Sequence, residues 1–193
     1  MTNIDVEKEN HEKLISIIRN DVQLMNLLRV VRKLNLPDWF IAGGAIRNTV
    51  WDYLHNFKEK TPFNDVDVTY FDKSDIRTEK DTELENFMSK KRPDIKWNFF
   101  NQARKHLKDT WIGGPVKNTS EGISYWCETP TCTGARLEKD DSIIITAPHG
   151  LRDLFNLTVR PIAKPFRRME LYHERIKNKE WQQKWPLLKI YDH

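Results

Sequence analysis

The feature that most constrains the fold is the segment FNDVDVTYF, residues 63–71, in which Asp65 and Asp67 alternate with apolar residues. This alternation predicts a β-strand. Side chains two residues apart on a strand point to the same side, so the two carboxylates must be neighbours. Neighbouring carboxylates repel each other unless a positive charge lies between them, and Mg²⁺ is a common solution. Two solvent-exposed acids at a strand end, paired with Lys or Arg, would explain the same pattern.

A strand, a glycine turn and a helix are predicted directly upstream. The apolar run 39–42 is of strand length, and it meets Gly43 and Gly44 before a helical stretch. Glycine lets the backbone approach a ligand closely, and the first N–H groups of a helix attract phosphate. Arg47 follows one turn into the helix, from where it can reach the same anion. Phosphoryl transfer requires such an anion site next to a metal.

The rest of the chain predicts a mixed α/β (α+β) fold, a mixed sheet with flanking helices. Residues 9–34 have helical apolar spacing, and Asn20 and Asp21 can divide it into two helices by capping the second. Further predictions are a helix over 74–91, a strand over 95–100, a short helix over 101–107, a loop over 111–120, a hairpin of 131–137 and 143–146, a short helix over 151–155, a strand over 157–160 and an amphipathic helix over 166–184.

The length of 193 residues favours one domain. It would comprise a helical segment (1–36), a core of sheet and helices (37–160) and a basic C-terminal helix (161–193). The polar start and the lack of a long apolar run predict a cytoplasmic protein without a membrane segment. Cys127 and Cys132 form neither a redox pair nor a complete zinc site, so reduced thiols are expected.

Basic side chains outnumber acidic ones from residue 160 to the end of the chain. A basic patch can bind nucleic acid through its phosphates. The solvated face of a helix is the more common use of such residues.

The sequence resembles a known superfamily. IAGGAIRN (41–48) and NDVDVTYFD (64–72) are similar to the signature of the DNA polymerase beta nucleotidyltransferases, in the Gly-Gly form of poly(A) and CCA-adding enzymes. Four more segments are similar to a family of small bacterial nucleotidyltransferase-like proteins: WNFFNQARKH (97–106), WCETPTCTGARL (126–137), APHGLRDLFNLTVRP (147–161) and KWP (184–186). The resemblance covers residues 39–186 and specifies the fold but no substrate.

The resemblance implies a role for four residues. Gly43 and Gly44 would contact the triphosphate of an NTP, and Asp65 and Asp67 would bind two Mg²⁺ ions, with Mn²⁺ as an alternative metal.

The superfamily also uses a third carboxylate on the next strand, where this chain has Asn98. An amide can bind Mg²⁺ but cannot accept a proton from a hydroxyl group. Asp94, Glu128 and, less favourably, Asp153 are alternative third acids.

Two more groups of residues have both a functional and a structural interpretation. Asn101 and Arg104 are predicted to bind the nucleotide, or else to cap a helix and to form a surface ion pair; His106 is a weaker candidate of the same kind. Trp181 and Trp185, four residues apart, are predicted to fix the last helix to the sheet rather than to stack on bases.

Two functions therefore follow from the sequence. The first is a Mg²⁺-dependent nucleotidyltransferase that moves a nucleoside monophosphate from an NTP to a hydroxyl group of a small molecule, an RNA end or a protein. The second is a catalytically impaired module that keeps the fold and binds nucleotide or nucleic acid, which the amide at Asn98 favours.

Overall fold

The computed structural model describes residues 2–193. In chain order its elements are α1 (Asn3–Asn20), α2 (Val22–Arg32), β1 (Phe40–Ala42), α3 (Gly44–Leu54), β2 (Asp65–Tyr70), α4 (Thr78–Lys91), β3 (Lys96–Asn101), α5 (Lys105–Lys108), α6 (Thr119–Ser124), β4 (Gly134–Leu137), β5 (Ile143–Thr146), α7 (Arg152–Phe155), β6 (Thr158–Val159), α8 (Met169–Lys179), α9 (Trp181–Lys184) and β7 (Lys189–Ile190).

The predicted break between the first two helices lies at Asp21. Its side chain accepts a hydrogen bond from the Leu24 backbone N–H at 2.9 Å, so Asp21 caps α2. Leu14, Ile18 and Leu28 are fully buried, which confirms that the helical apolar spacing marks the face toward the core.

The main sheet has five strands in the order β3-β2-β1-β4-β5. Strands β2 and β3 run parallel, and the other pairs are antiparallel, so the predicted mixed sheet is confirmed. Asp67 is in register with Ala42 of β1 on one side and with Asn98 of β3 on the other. This register brings the end of β1, the carboxylate strand and the Asn98 position to one level of the sheet.

Strand β2 has one apolar face and one face with the two acids, as the alternation of apolar and acidic residues predicted. Val66, Val68 and Tyr70 are fully buried in the core that the sheet shares with α1 to α4. Asp65 is exposed and Asp67 is half-buried on the opposite face. Because successive side chains of a strand point to opposite sides, this burial places both carboxylates on the same face.

The structure differs from the prediction in the C-terminal part. The helix expected over 166–184 is two helices, because Glu180 adopts a left-handed conformation with φ +46° that ends α8 and turns the chain into α9. The predicted strand over 157–160 forms as β6, but it does not join the main sheet. It pairs in parallel with β7, a strand that was not predicted. A strand of two residues carries too little pattern to be recognised from sequence.

A second difference is α6, which begins in the last two residues of the predicted loop (111–120) and continues to Ser124, where no helix was predicted. The side chain of Asn118 accepts a hydrogen bond from Glu121 N–H at 2.8 Å and caps this short helix. In residues 2–193 no helix combines the length and the apolar character that a membrane crossing needs.

Candidate active site

The two carboxylates lie beside an amide on the open face of the sheet. Asn98 Nδ2 donates a hydrogen bond to Asp67 Oδ1 at 3.0 Å. Asp65 lies two residues before Asp67 on the same strand face. The three side chains therefore form one group of oxygen donors at the edge formed by β2 and β3.

Neither carboxylate has a cationic partner among the described residues, although ion pairs are frequent elsewhere in the chain. Burial raises the pKa of Asp67, the hydrogen bond from Asn98 partly lowers it, and the charge of Asp65 raises it again. The nearby charges of Arg47 and Arg175 also lower this pKa, but neither forms an ion pair with the carboxylates, so the half-buried pair has no direct counter-ion within the described part of the chain. Such a pair is electrostatically suited to a bound cation.

The glycine turn lies against this pair. Gly43 has φ +66° and ψ −124°, a backbone conformation that residues other than glycine rarely adopt. A Cβ atom at Gly43 would lie 3.5 Å from Asp67 Oδ2 and 2.9 Å from Cζ3 of Trp126. No side chain caps the N-terminus of α3. Its first N–H groups therefore lie next to the carboxylates without a side-chain acceptor.

We expect Gly43→Ala to destabilise the protein by about 1–3 kcal/mol, because it adds both backbone strain and a clash with the Trp126 ring. Urea unfolding measures this cost. Gly113→Ala is the matched control, since Gly113 also has positive φ (+79°) but nothing lies within 4 Å of its would-be Cβ. An equal cost for both variants would show that Trp126 does not crowd the turn.

Arg47 is buried behind the turn. Its Nη1 donates to Thr131 Oγ1 at 2.7 Å, and its Nε and Nη2 donate to Asn48 Oδ1 at 3.2 and 3.0 Å. The guanidinium lies between the rings of Trp51 and Trp181, at 4.8 and 4.5 Å from their centres. Burial lowers the pKa of Arg47 to about 10, against the attraction of nearby carboxylates. Arg47 is thus a buried cation close to Asp67.

Two of the alternative third acids lie away from the pair. Asp94 is bound by Arg92 in a two-bond ion pair at 2.9 and 2.7 Å. Asp153 pairs with Arg160 at 3.0 Å and accepts a hydrogen bond from Thr129. Neither lines the cavity that contains Asp65 and Asp67.

The third alternative, Glu128, is fully buried and bound by Arg175 of α8. Arg175 Nη2 donates to Glu128 Oε2 at 3.2 Å, and Nε donates to Oε1. Arg175, unlike Glu128, lines the cavity. Sequence reasoning missed Arg175, because a basic residue in an amphipathic helix has no local signal that distinguishes it from a solvated one.

Asn101 uses all its hydrogen-bonding groups within the protein. Its Oδ1 accepts from the N–H groups of Asp72 and Ala103, each at 3.0 Å, and its Nδ2 donates to the carbonyls of Asp72 and Asp75. Asn101 therefore caps the 3₁₀ turn that follows β3 and holds the loop after β2. It also lines the cavity, and its predicted role in nucleotide binding stays a prediction.

Arg104 forms an ion pair with the buried Asp81 of α4, which also accepts a hydrogen bond from Tyr70 Oη at 2.6 Å. The side chain of Arg104 is mostly buried and lines the same cavity. Its role in nucleotide binding likewise stays a prediction.

Trp181 and Trp185 are packing residues, and their partner is α3 rather than the sheet. Both rings lie edge-on to Trp51, with ring centres 5.7 and 5.1 Å apart. Trp185 Nε1 donates to Asp52 Oδ1 at 2.8 Å. These contacts hold α9 and the following Trp185 against the C-terminal half of α3, and Trp181 also lies over the guanidinium of Arg47.

The carboxylates face a cavity of about 1150 Å³. Its wall includes the first turn of α3 at Gly44 and, from the C-terminal helices, Arg175, Lys179 and Lys184. The carboxylates, the N-terminus of α3 and several basic side chains thus face one open space large enough for a nucleotide.

Comparisons with known proteins identify a family and related folds. A family model described as nucleotidyltransferase matches residues 29–190. Comparison with curated protein sequences gave no match. An NMR structure described as a CCA-adding enzyme head domain is 30% identical, with a TM-score of 0.81, over 94% of this chain and 96% of that one.

Two longer enzymes share the fold at lower identity. A CCA-adding enzyme in complex with CTP is 15% identical, with a TM-score of 0.56, over 94% of this chain and 43% of its own. The Thermotoga maritima CCA-adding enzyme in complex with tRNA is 16% identical, with a TM-score of 0.55, over 94% and 42%. The chain thus spans under half the length of these two enzymes. The family match and the 30% identity over nearly the whole length of the head domain show that this chain belongs to the nucleotidyltransferase family.

Proposed function

We propose that the protein is a nucleotidyltransferase that depends on Mg²⁺ or Mn²⁺ and transfers a nucleoside monophosphate from an NTP to a hydroxyl group. The observation that carries the proposal is the unpaired carboxylates of Asp65 and Asp67 next to the uncapped N-terminus of α3. A metal site and a phosphate site side by side are what this reaction needs.

The donor set fits a hard divalent cation. Asp65 and Asp67 supply carboxylate oxygens, and Asn98 Oδ1 is an amide oxygen on the neighbouring strand. Among the described residues no third His, Cys, Asp or Glu side chain joins them in a metal-binding group. The metal, when bound, would neutralise the carboxylates and stabilise negative charge on the triphosphate.

The N-terminal turn of α3 would hold the triphosphate. The conformation of Gly43 brings the backbone close to Asp67, and the N–H groups that begin at Gly44 point out of the helix end. The charge of Arg47 behind this turn adds to the attraction for an anion. These contacts would place the α-phosphate beside the carboxylates.

The acceptor hydroxyl belongs, on this proposal, to a small molecule, an RNA end or a protein. Lys179 and Lys184 line the cavity and favour an anionic acceptor such as nucleic acid. The buried free thiols of Cys127 and Cys132 support a reducing, cytoplasmic location.

A second candidate is a non-catalytic nucleotide-binding module. It is favoured by Asn98, whose Nδ2 donates a hydrogen bond to Asp67. An amide cannot act as the base that takes a proton from the acceptor hydroxyl.

A thermal-shift experiment with Mg²⁺ and each of the four NTPs tests both candidates. A nucleotide that raises the melting temperature only with Mg²⁺ identifies the donor. An NTP labelled at the α-phosphate then shows whether label reaches an acceptor and whether pyrophosphate is released. Release supports the enzyme, binding without release supports the module, and no Mg²⁺-dependent binding contradicts both.

Asn98→Asp is expected to increase turnover at least about tenfold, because it supplies a third carboxylate that can also take a proton. Without metal the variant should melt at a lower temperature than the wild type, since a carboxylate replaces a donor 3.0 Å from Asp67. Mg²⁺ should restore the melting temperature.

Asn98→Ala is the control for this variant. It removes the hydrogen bond without adding a carboxylate, so neither a gain in turnover nor a greater stabilisation by Mg²⁺ is expected. Unchanged turnover of Asn98→Asp would mean that the third acid lies elsewhere.

A further inference from the structure

The buried ion pair between Glu128 and Arg175 has a geometry that leaves one end of the arginine available. Glu128 accepts hydrogen bonds from Nε and Nη2. Within residues 2–193 the Nη1 group of Arg175 donates to no protein acceptor. A guanidinium has five N–H donors, so donors remain for a ligand.

Arg175 lies on the cavity wall with Asp67 and Gly44, and its side chain is 30% exposed. Its guanidinium also lies 5.9 Å from the ring centre of Trp181. Burial lowers the pKa of Arg175, but Glu128 and Asp67 more than offset this effect and raise it overall. Glu128 and Trp181 thus hold the positive charge of Arg175 where it interacts with Asp67.

Arg47, the other arginine close to Asp67, is engaged differently. All three of its nitrogens donate to Asn48 or Thr131, and its plane is covered by Trp51 and Trp181. Arg47 is buried and uses three of its five N–H donors within the protein, so it offers fewer hydrogen bonds to a ligand than Arg175 does.

Glu128 is expensive to bury, because its carboxylate is completely shielded from water and its charged partner is the partly exposed Arg175. Its two oxygens fit one edge of the guanidinium and so set the direction of the other edge. A positioning role would explain why this charge is retained inside the protein.

We propose that Arg175 binds the β- and γ-phosphate groups of the NTP and that Glu128 is the positioning residue that directs it. The proposal rests on the proposed function above and adds a phosphate ligand from the C-terminal helix. A divalent cation on Asp65 and Asp67 would neutralise these carboxylates, and the positive charges of Arg47 and Arg175 beside them would then favour a bound polyanion.

Binding constants for MgATP and for inorganic tripolyphosphate with Mg²⁺ test the proposal. Arg175→Ala is expected to weaken both by about tenfold or more, the effect of losing charge-assisted hydrogen bonds. Arg175→Lys keeps the positive charge but lacks the paired N–H groups of the guanidinium, so it should bind both ligands more tightly than Arg175→Ala and less tightly than the wild type. Lys177→Ala is the control, because Lys177 is exposed on the same helix outside the cavity.

Glu128→Gln separates positioning from simple anchoring. It should weaken MgATP binding less than Arg175→Ala does, and it should have no further effect in an Arg175→Ala background. Affinities are compared at a temperature where each variant is folded. If Arg175→Ala does not fold, Arg175→Lys and Glu128→Gln provide the same comparison.

The outcomes distinguish this inference from the function on which it rests. Wild-type affinity for MgATP in a folded but less stable Arg175→Ala variant would overturn the inference alone, and the pair would then only anchor α8. Absence of Mg²⁺-dependent binding of all four NTPs by the wild type would instead contradict the proposed function. Weaker MgATP binding with unchanged tripolyphosphate binding would place Arg175 at the nucleoside and also overturn the inference.

Discussion

A double variant with Asp65→Asn and Asp67→Asn should lose nucleotidyl transfer by about a thousandfold or more, because a metal that stabilises the transition state by several kcal/mol loses both carboxylate ligands. The stabilisation of the protein by Mg²⁺ together with NTP should disappear as well. Pyrophosphate release and thermal shift measure the two effects. Retained Mg²⁺-dependent affinity would remove both residues from the site.

The fold should tolerate this change. The folded-state pKa of Asp67 is raised, chiefly by burial, so its ionisation destabilises the folded protein as the pH rises through that pKa. Without metal at neutral pH the double variant is therefore expected to be at least as stable as the wild type. The difference should vanish below the ordinary pKa of 3.8, where Asp67 is protonated in both states.

Asp94→Asn is the matched control, since it removes a carboxylate that pairs with Arg92 outside the cavity. It should leave turnover unchanged. Loss of turnover in this control would make Asp94 the third acid despite its position.

Trp181→Ala should cost about 3–5 kcal/mol in the free energy of unfolding, the range for removing a large buried aromatic side chain. The ring is 3% exposed, packs edge-on against Trp51 and covers the guanidinium of Arg47. Its loss would leave a cavity beside a buried cation and release α9 from α3. Urea unfolding measures this loss of free energy, provided that the m-value is the same for the variant and the wild type.

Leu187→Ala is the control for this variant, because Leu187 lies in the same C-terminal segment and is 57% exposed. It should change the unfolding free energy by no more than about 0.5 kcal/mol. A cost below about 1 kcal/mol for Trp181→Ala would mean that α9 contributes little to the core.

Local pattern was sufficient where one element carries the information. The alternation around Asp65 and Asp67 predicted a strand with both carboxylates on one face, and the burial of Val66 and Val68 confirms that strand. The cap at Asp21 was predictable for the same reason, since its acceptor and donor are three residues apart.

Contacts between distant elements were not predictable from pattern. The sequence identified Asn98 as the residue at the third-acid position, but the strand register that brings it to Asp67 is a property of the sheet. The single helix predicted over 166–184 was wrong because Glu180 takes a left-handed conformation, which places Trp181 against Trp51. Propensity along the chain does not report a packing demand from another helix.

What the sequence determined by itself is therefore the mixed α/β character, the two acids on one strand face and the glycine turn before a helix, because strand alternation and helix capping act over a few residues. Only the tertiary structure decided that Glu128 is locked to Arg175 and that Arg47 is buried between tryptophans. Charges from segments far apart in the chain meet there because the C-terminal segment packs against α3 through Trp181 and Trp185. Such meetings depend on how whole elements pack, and no short-range pattern encodes them.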